Sequence, residues 1–431
     1  MQVASQPNIL LIVTDQQHAN TIGALGQEYV NTPAIDELVQ GGTSFTQSYC
    51  ANPVCSPSRS AMFTSRTTSE TGVWTNGRSI RPELPTMGEH FRAAGYDTSY
   101  AGKWHVPKCY PNTIDGFRVL SSGIGHQGTV SDPLITDGCV NYLYGRDQSQ
   151  PFLMVASYMQ PHDVCEWLRL NRVNPDGLRY PELAEELPSL PDNFASIPEP
   201  LPEVIAKKHN GLEPRYGNWS EEHFRYYIWS YLRHVEMVDV EVARLLAALD
   251  ATGDRENTVI LFTSDHGEGM ANHAMTRKGF LYDESVRVPL VVSGPGVPTN
   301  VVDATTPTSG LDVFPTMCNS AGIDAPDGAK GVSLLSAMGS GGLDRTFVAS
   351  ECNNNEQQMI RTERYKYIAY KDDPIEQLFD MVEDPGEMRN LSVDEGHLSV
   401  LKAHREMLHG WIGGLDLAPD LPDECRWSFT E

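Results

Sequence analysis

Cys55 is followed by Ser56, Pro57, Ser58 and Arg59. Proline suits the first turn of a helix, where its missing N–H costs nothing, so Cys55 is expected at a helix start. Free backbone N–H groups and the helix dipole attract anions there. Arg59 lies four residues on and shares the face of Cys55. A side chain at 55 with a guanidinium beside it would hold a tetrahedral oxyanion. Taken alone, a Cys at this spacing is more often core filler. Asp15-Gln16 follows a continuous apolar run, and carboxylate and carboxamide oxygens at a strand end suit a hard divalent cation. Asp265-His266-Gly267-Glu268 follows a second such run, and Asp and His are both metal-ligating types. Either dipeptide alone reads as a polar turn, but two acidic strand ends of one sheet can converge. Lys103 and His105, His162, and Lys278 also lie where a parallel-sheet enzyme places its site.

The elements that must carry these groups alternate. Asn8 to Val13, Asp97 to Ala101, Phe152 to Ser157, Thr258 to Thr263 and Val288 to Val292 read as strands, several buried on both faces. Pro33 to Gln40 and Thr86 to Ala94 read as helices stopped by glycine. Ser220 caps a long helix with Glu221 and Glu222 in its first turn and apolar residues at helical spacing up to Leu249. Residues 165–218, rich in proline, read as an excursion with little regular structure near the substrate. From about residue 345 the pattern becomes short strands (Phe347 to Ser350, Gln358 to Arg361, Tyr365 to Tyr370, Gln377 to Phe379) and then a helix from Ser399 to Trp411. The expected fold is α/β: a large, mostly parallel sheet flanked by helices over residues 1–344, with a smaller C-terminal α+β domain on an antiparallel sheet over 345–431.

The 431 residues, 40% hydrophobic and 21% charged, can bury a sizeable core. A formal net charge of −25 argues against nucleic acid or anionic membrane as partner, and means that an anionic substrate needs local cations. The N-terminus has no basic n-region, and no run reaches membrane-spanning length. With eight scattered cysteines and no CxxC pair, reduced thiols and a cytoplasmic location are expected.

Cys55-Ser56-Pro57-Ser58-Arg59 resembles the sulfatase signature Cys-x-Pro-x-Arg, in which the Cys is oxidised to formylglycine. Asn8 to Gln16 resembles that family's opening strand and first metal ligands, Gly102-Lys103-Trp104-His105 its Gly-Lys-Trp-His segment, and Phe262 to Gly267 its second metal segment. Lys278 with Tyr282, Glu284 and Arg287 to Leu290 resembles the stretch that follows, and Tyr365-Lys366-Tyr367 with Leu378-Phe379-Asp380 resembles the C-terminal hairpin. The motifs run in the family's order over nearly the whole chain, which implies an alkaline-phosphatase-like fold.

The resemblance implies a sulfuric ester hydrolase. Asp15, Gln16, Asp265 and His266 would ligate one divalent cation, with modified Cys55 completing the shell. Arg59 would orient the formylglycine, Lys103 and His105 would contact nucleophile and sulfate, His162 and Lys278 would face the leaving-group oxygen, and Asn76 would lie near the sulfate. Calcium is the first choice of ion, although Gln16 and His266 stand where many arylsulfatases carry further oxygen ligands, so manganese and magnesium are alternatives. A formylglycine-generating enzyme is the implied maturation partner. A carbohydrate or oligosaccharide sulfate ester is the expected substrate, because Trp167, Tyr180 and Trp219 offer faces for sugar rings; plain packing of these aromatics is the competing explanation. The alternative functions are a phosphonate monoester or phosphodiester hydrolase of the same superfamily, or a small alkyl sulfatase such as choline sulfatase. Cationic Lys103 and His105 favour sulfate.

Overall fold

The computed structural model describes residues 6–121, 127–171, 181–216, 219–338, 342–343 and 345–427. Its strands in chain order are β1 (Asn8–Asp15), β2 (Gly42–Phe45), β3 (Ser48–Tyr49), β4 (Asp97–Gly102), β5 (Arg118–Ser121), β6 (Phe152–Pro161), β7 (Thr258–Ser264), β8 (Leu290–Ser293), β9 (Val301–Asp303) and β10 (Thr308–Ser309). Eight of them form one sheet in the order β5-β4-β6-β1-β7-β8-β2-β9, while β3 and β10 pair separately. All neighbours in the large sheet run parallel except β8, which is antiparallel to both β7 and β2.

All eight residues of β1 are buried because helices cover both faces. Ile9, Leu11 and Val13 point to a core with Phe63, Phe91 and Phe314, from the helices Cys55–Thr64, Met87–Ala93 and Val313–Ala321. Leu10 and Ile12 point to the opposite core with Ile35, Ile135 and Val242, from the helices Pro33–Gln40, Gly128–Gly145 and Glu221–Thr252. The period-2 alternation of a strand thus feeds two apolar layers. The long helix begins at Ser220, whose side chain makes a reciprocal capping box with His223, and ends at Gly253 in the left-handed region.

The second sheet is an antiparallel meander of β11 (Phe347–Cys352), β12 (Gln357–Thr362), β13 (Tyr365–Tyr370) and β14 (Gln377–Asp380). Val348, Met359, Ile368 and Phe379 on one face pack against Phe280, Tyr282 and Val286. Ile360, Tyr367 and Leu378 on the other are covered by Leu401 and Leu408 of the helix Leu398–Gly413.

The excursion after residue 164 is more regular than its sequence suggests. Helices Val164–Asn171 and Glu203–Tyr216 lie within it. Gly211 and Pro214 mask the periodicity of the second helix, yet its Ile205 is fully buried against Met275 and Phe280. Trp167 and Trp219 are partly buried on Phe224, Tyr226 and Tyr227, so packing accounts for both. Tyr180 lies outside the described residues. Among the described residues, no helix is long and apolar enough to cross a membrane.

A buried ionic cluster holds the Lys278 segment to the second sheet. Lys366 Nζ of β13 lies 2.9 Å from Asp283 and 2.8 Å from Glu387, and His273 Nδ1 lies 2.9 Å from Glu284. Burial acts to lower the His273 pKa, but the carboxylates of Glu284 and Glu387 outweigh it and hold it above the ordinary imidazole range. A group whose folded pKa is raised contributes stability that is complete below its unfolded value, about 6.5, and is lost as pH climbs through the higher folded value. His273→Ala is therefore expected to cost about 3 kcal/mol at pH 6 by stranding Glu284. The gap from the parent chain should narrow by pH 9. Thermal unfolding at the two pH values measures this, and an equal gap at both would contradict it.

Candidate active site

The site forms where β1 and β7 end side by side. Thr14 pairs with Ser264, and the N–H of Asp265 donates to the Thr14 carbonyl at 3.1 Å. Both acids leave the sheet at one edge, next to the start of the helix Cys55–Thr64. One ligand atom from each of Asp15, Cys55, Asp265 and His266 lies within 4.8 Å of the others, and all four residues are buried. The Cys55 Sγ is 3.2 Å from His266 Nε2 and 3.9 Å from Asp15 Oδ1.

His266 presents a free lone pair to this cluster. Its Nδ1 lies 2.9 Å from the Gly267 carbonyl, an acceptor only, so Nδ1 carries the proton and Nε2 does not. Burial pushes its pKa down to about 3, which keeps the ring neutral. Two carboxylates, a lone-pair nitrogen and a residue-55 side chain within one ion's reach form a donor set that fits a single divalent cation. Gly267 is required here because a Cβ would run into the Glu284 carbonyl.

Arg59 ties the surrounding elements together and is fully buried. Its Nε donates to Asp265 Oδ2 at 2.8 Å, and its Nη1 donates at 2.7 Å to both the Lys103 carbonyl and Ser157 Oγ. Nη2 lies 3.7 Å from Asp15 Oδ2 and has no hydrogen-bond partner among the described residues. Position 59 is thus on the face of Cys55, as the spacing predicts.

Lys103 enters from the end of β4. Gly102 turns the chain at φ +99°, where a Cβ would collide with the Ser157 carbonyl. The Lys103 ammonium then contacts the Asp15 carboxylate, and burial lowers its pKa to about 8. Lys278 Nζ contacts Gln16 Oε1, and its charge acts on the Cys55 thiol. Gln16 at φ +71° and His105 at φ +63° both hold left-handed backbone. For side-chain-bearing residues this conformation costs about 1–2 kcal/mol and concentrates at functional sites.

His105 accepts the Ser56 hydroxyl on its carbonyl at 2.5 Å, and its Nδ1 has no hydrogen-bond partner among the described residues. Burial, with Lys103 and Arg59 beside it, brings its pKa down to about 3, so His105 is neutral and not the cation expected from the sequence; of that pair only Lys103 carries charge toward a sulfate. Half-buried His162 is pushed well below the usual imidazole range by burial and then by the charges of Lys278, Lys103, His266 and His105. Asn76 sits differently from the rest. It is exposed, and its Oδ1 accepts the Ser56 N–H at 3.0 Å, satisfying one open donor of the helix start. It therefore borders the site rather than its centre.

Ser58 and Glu268 stand inside the sequence motifs without a role that the sequence assigns, and Ser157 stands outside them. The Ser58 hydroxyl donates to the Asp265 carbonyl, Ser157 donates to the Lys103 carbonyl at 2.7 Å, and Glu268 accepts from Gln16 Nε2. The signal for Glu268 was its place directly after Asp265-His266-Gly267. Ser157 carried a weaker one, as a hydroxyl interrupting an apolar strand.

A family profile described as Sulfatase matches residues 7–323, and one described as N-sulphoglucosamine sulphohydrolase, C-terminal, matches residues 271–411. The chain is 31% identical to the Delta 4,5-hexuronate-2-O-sulfatase of Bacteroides thetaiotaomicron over 95% of this chain and 90% of the relative. It is 26% identical to the choline-sulfatase of Rhizobium meliloti over 99% of this chain and 91% of that one. The solved structure of a 2-O GAG sulfatase superposes with a TM-score of 0.83 at 28% identity, covering 99% of this chain and 98% of that one. The phosphonate monoester hydrolase of Agrobacterium radiobacter shares the fold, with a TM-score of 0.79 at 22% identity over 94% of this chain and 95% of that one. The chain belongs to the sulfatase family and is a sulfuric ester hydrolase.

Proposed function

We propose that the chain hydrolyses sulfate esters of carbohydrates, using one divalent cation and a formylglycine made from Cys55 by a formylglycine-generating enzyme. One observation carries this reading: Arg59, Lys103 and Lys278 converge on residue 55 and two buried carboxylates, inside a chain of net charge −25. The names of the relatives support a sugar substrate, since one is a hexuronate sulfatase and another an N-acetylglucosamine-6-O-sulfatase. Conversion of Cys55 fits its setting. Burial pushes the thiol's pKa up, and a buried thiol is a poor nucleophile when neutral.

Asp15, Asp265, His266 and the residue-55 side chain would hold the cation, with Gln16 Oε1 beside them. Carboxylate and amide oxygens favour calcium, and the imidazole admits manganese. A bound cation polarises sulfate oxygens, and a formylglycine supplies a hydrated carbonyl as nucleophile. The protein's own groups do the rest. Lys103 and Lys278 counter the anion's charge in a water-poor pocket, where such contacts are strongest. Arg59 has Nη2 left to meet an oxygen at residue 55. Neutral His162 has an N–H to give to the departing ester oxygen, and the neutral His105 ring can hydrogen-bond an oxygen of the anion.

Mass spectrometry of the peptide containing Cys55 tests the modification, and a screen of sulfated monosaccharides against choline sulfate and aryl phosphonate esters tests the substrate class. Turnover of phosphonates above all sulfates would overturn the reading. Chelation should also be visible without substrate. Removal of the ion is expected to lower the melting temperature as well as activity, because an ion at 100 times its Kd stabilises by about 2.7 kcal/mol. Adding calcium or manganese should restore both; a melting curve indifferent to exhaustive chelation would remove the cation from the scheme.

A further inference from the structure

Glu268 takes no part in the chemistry above, yet it is fully buried beside it. Three donors converge on its carboxylate. The Tyr227 hydroxyl and the Arg277 N–H donate to Oε1, and Gln16 Nε2 donates to Oε2. The two ends of a carboxamide have nearly the same shape, so its orientation is set by its partners. A carboxylate on one side demands the NH2 end. The oxygen end of Gln16 is thereby turned the other way, where it accepts the Lys278 ammonium, whose charge acts on Cys55.

The Gln16 backbone is already fixed. Its N–H donates to Asp265 Oδ1 at 3.0 Å, its carbonyl accepts the Tyr231 hydroxyl at 2.6 Å, and its φ is +71°. What remains free in principle is a half-turn of the amide, which would exchange an oxygen for an NH2 on the cation side. We infer that Glu268 is a positioning residue that blocks this half-turn and keeps Gln16 Oε1 facing the cation site and Lys278. The inference rests on the cation reading given above.

Glu268→Gln tests it, because the variant keeps size and shape. Its Oε1 would stay with Tyr227 and Arg277, so its NH2 would face the Gln16 NH2. Two donors cannot pair, so Gln16 turns over and presents its NH2 to the cation. Exchanging both residues, Q16E with E268Q, rebuilds the pattern: the new amide donates to one oxygen of the new carboxylate, and the other oxygen faces the ion. The formal charge of the protein is unchanged by the exchange.

The readout is calorimetric titration of the chelated full-length chain with calcium chloride and with manganese chloride. E268Q is expected to bind about 10- to 100-fold more weakly, the usual effect of losing a residue that orients a metal ligand. The double exchange should return the affinity to the parent value or above. Parent-like affinity in E268Q overturns the inference, as does a folded double exchange that stays weak. Should E268Q fail to fold, Tyr227→Phe removes one donor to the same carboxylate and should weaken binding severalfold; unchanged affinity there also overturns it. A parent chain that binds neither ion overturns the cation reading itself, an outcome distinct from equal binding by parent and variant.

Discussion

Cys55→Ala is expected to abolish turnover of sulfate esters while the chain still folds and still binds a divalent cation. The thiol's contacts are weak ones, 3.2 Å to an imidazole nitrogen and 3.9 Å to a carboxylate oxygen, so little stability is lost with it. The loss of rate is another matter, because the serine hydroxyls around residue 55 are already engaged. The hydroxyls of Ser56, Ser58 and Ser157 donate to the carbonyls of His105, Asp265 and Lys103 respectively. Each would have to break a buried hydrogen bond before attacking. Removal of an enzyme's nucleophile costs roughly 10⁴- to 10⁶-fold in kcat. The variant keeps Lys103, Lys278 and Arg59, so it should bind a sulfated sugar with about the parent affinity. Steady-state kinetics with equilibrium binding separates the two effects. Turnover within tenfold of the parent, with the parent chain shown by mass spectrometry to carry formylglycine, would sink the assignment.

Why position 55 and its partners could be read in advance, while others could not, follows from the range of the forces involved. β1 and β7 are buried on both faces, and burial on both faces requires a continuous apolar run, which any reader of the sequence sees. Asp15 and Asp265 are polar residues at the ends of such runs, so their place at the sheet edge is legible too. Cys55 and Arg59 depend on helical spacing alone. The contacts that assemble these pieces are long-range and leave no spacing to find. Arg59 meets Ser157 and Asp265 only because β6, β1 and β7 are neighbours, an order set by tertiary packing. Glu268 lies one residue past an obvious motif, yet its partners Tyr227 and Gln16 come from a distant helix and a distant strand end. The antiparallel course of β8 has no local signature either, since a four-residue apolar strand reads alike in both directions. The helix Glu203–Tyr216 is illegible for the opposite reason: its sequence argues against it through Gly211 and Pro214, and tertiary burial of Ile205 prevails.

Arg59→Ala should injure the protein twice, and the two injuries can be measured apart. In the folded chain the guanidinium is the partner of the Asp265 carboxylate, the Lys103 carbonyl and the Ser157 hydroxyl, all buried. Truncation strands these groups, and breaking a buried ion pair from one side costs about 3–5 kcal/mol of stability. A bound divalent ion returns part of this by neutralising Asp265, so the destabilisation should be larger in chelator than in calcium. The second injury is to catalysis. Among the described residues Nη2 is the one nitrogen of Arg59 without a partner, and it lies against the cluster that contains residue 55. Loss of a preorganised donor of this kind costs about 2.7–4 kcal/mol of transition-state stabilisation, a hundredfold or more in kcat. Arg59→Lys divides the two. A lysine keeps the positive charge beside Asp265 but cannot span Asp265, Lys103 and Ser157 together, nor supply the second donor. It should regain most of the stability and little of the rate. Urea or thermal unfolding with and without calcium reads the first quantity, and kcat at saturating substrate reads the second. If Arg59→Lys turned over at the parent rate, charge alone would suffice at this position, and the fixed geometry of the guanidinium would have no catalytic part.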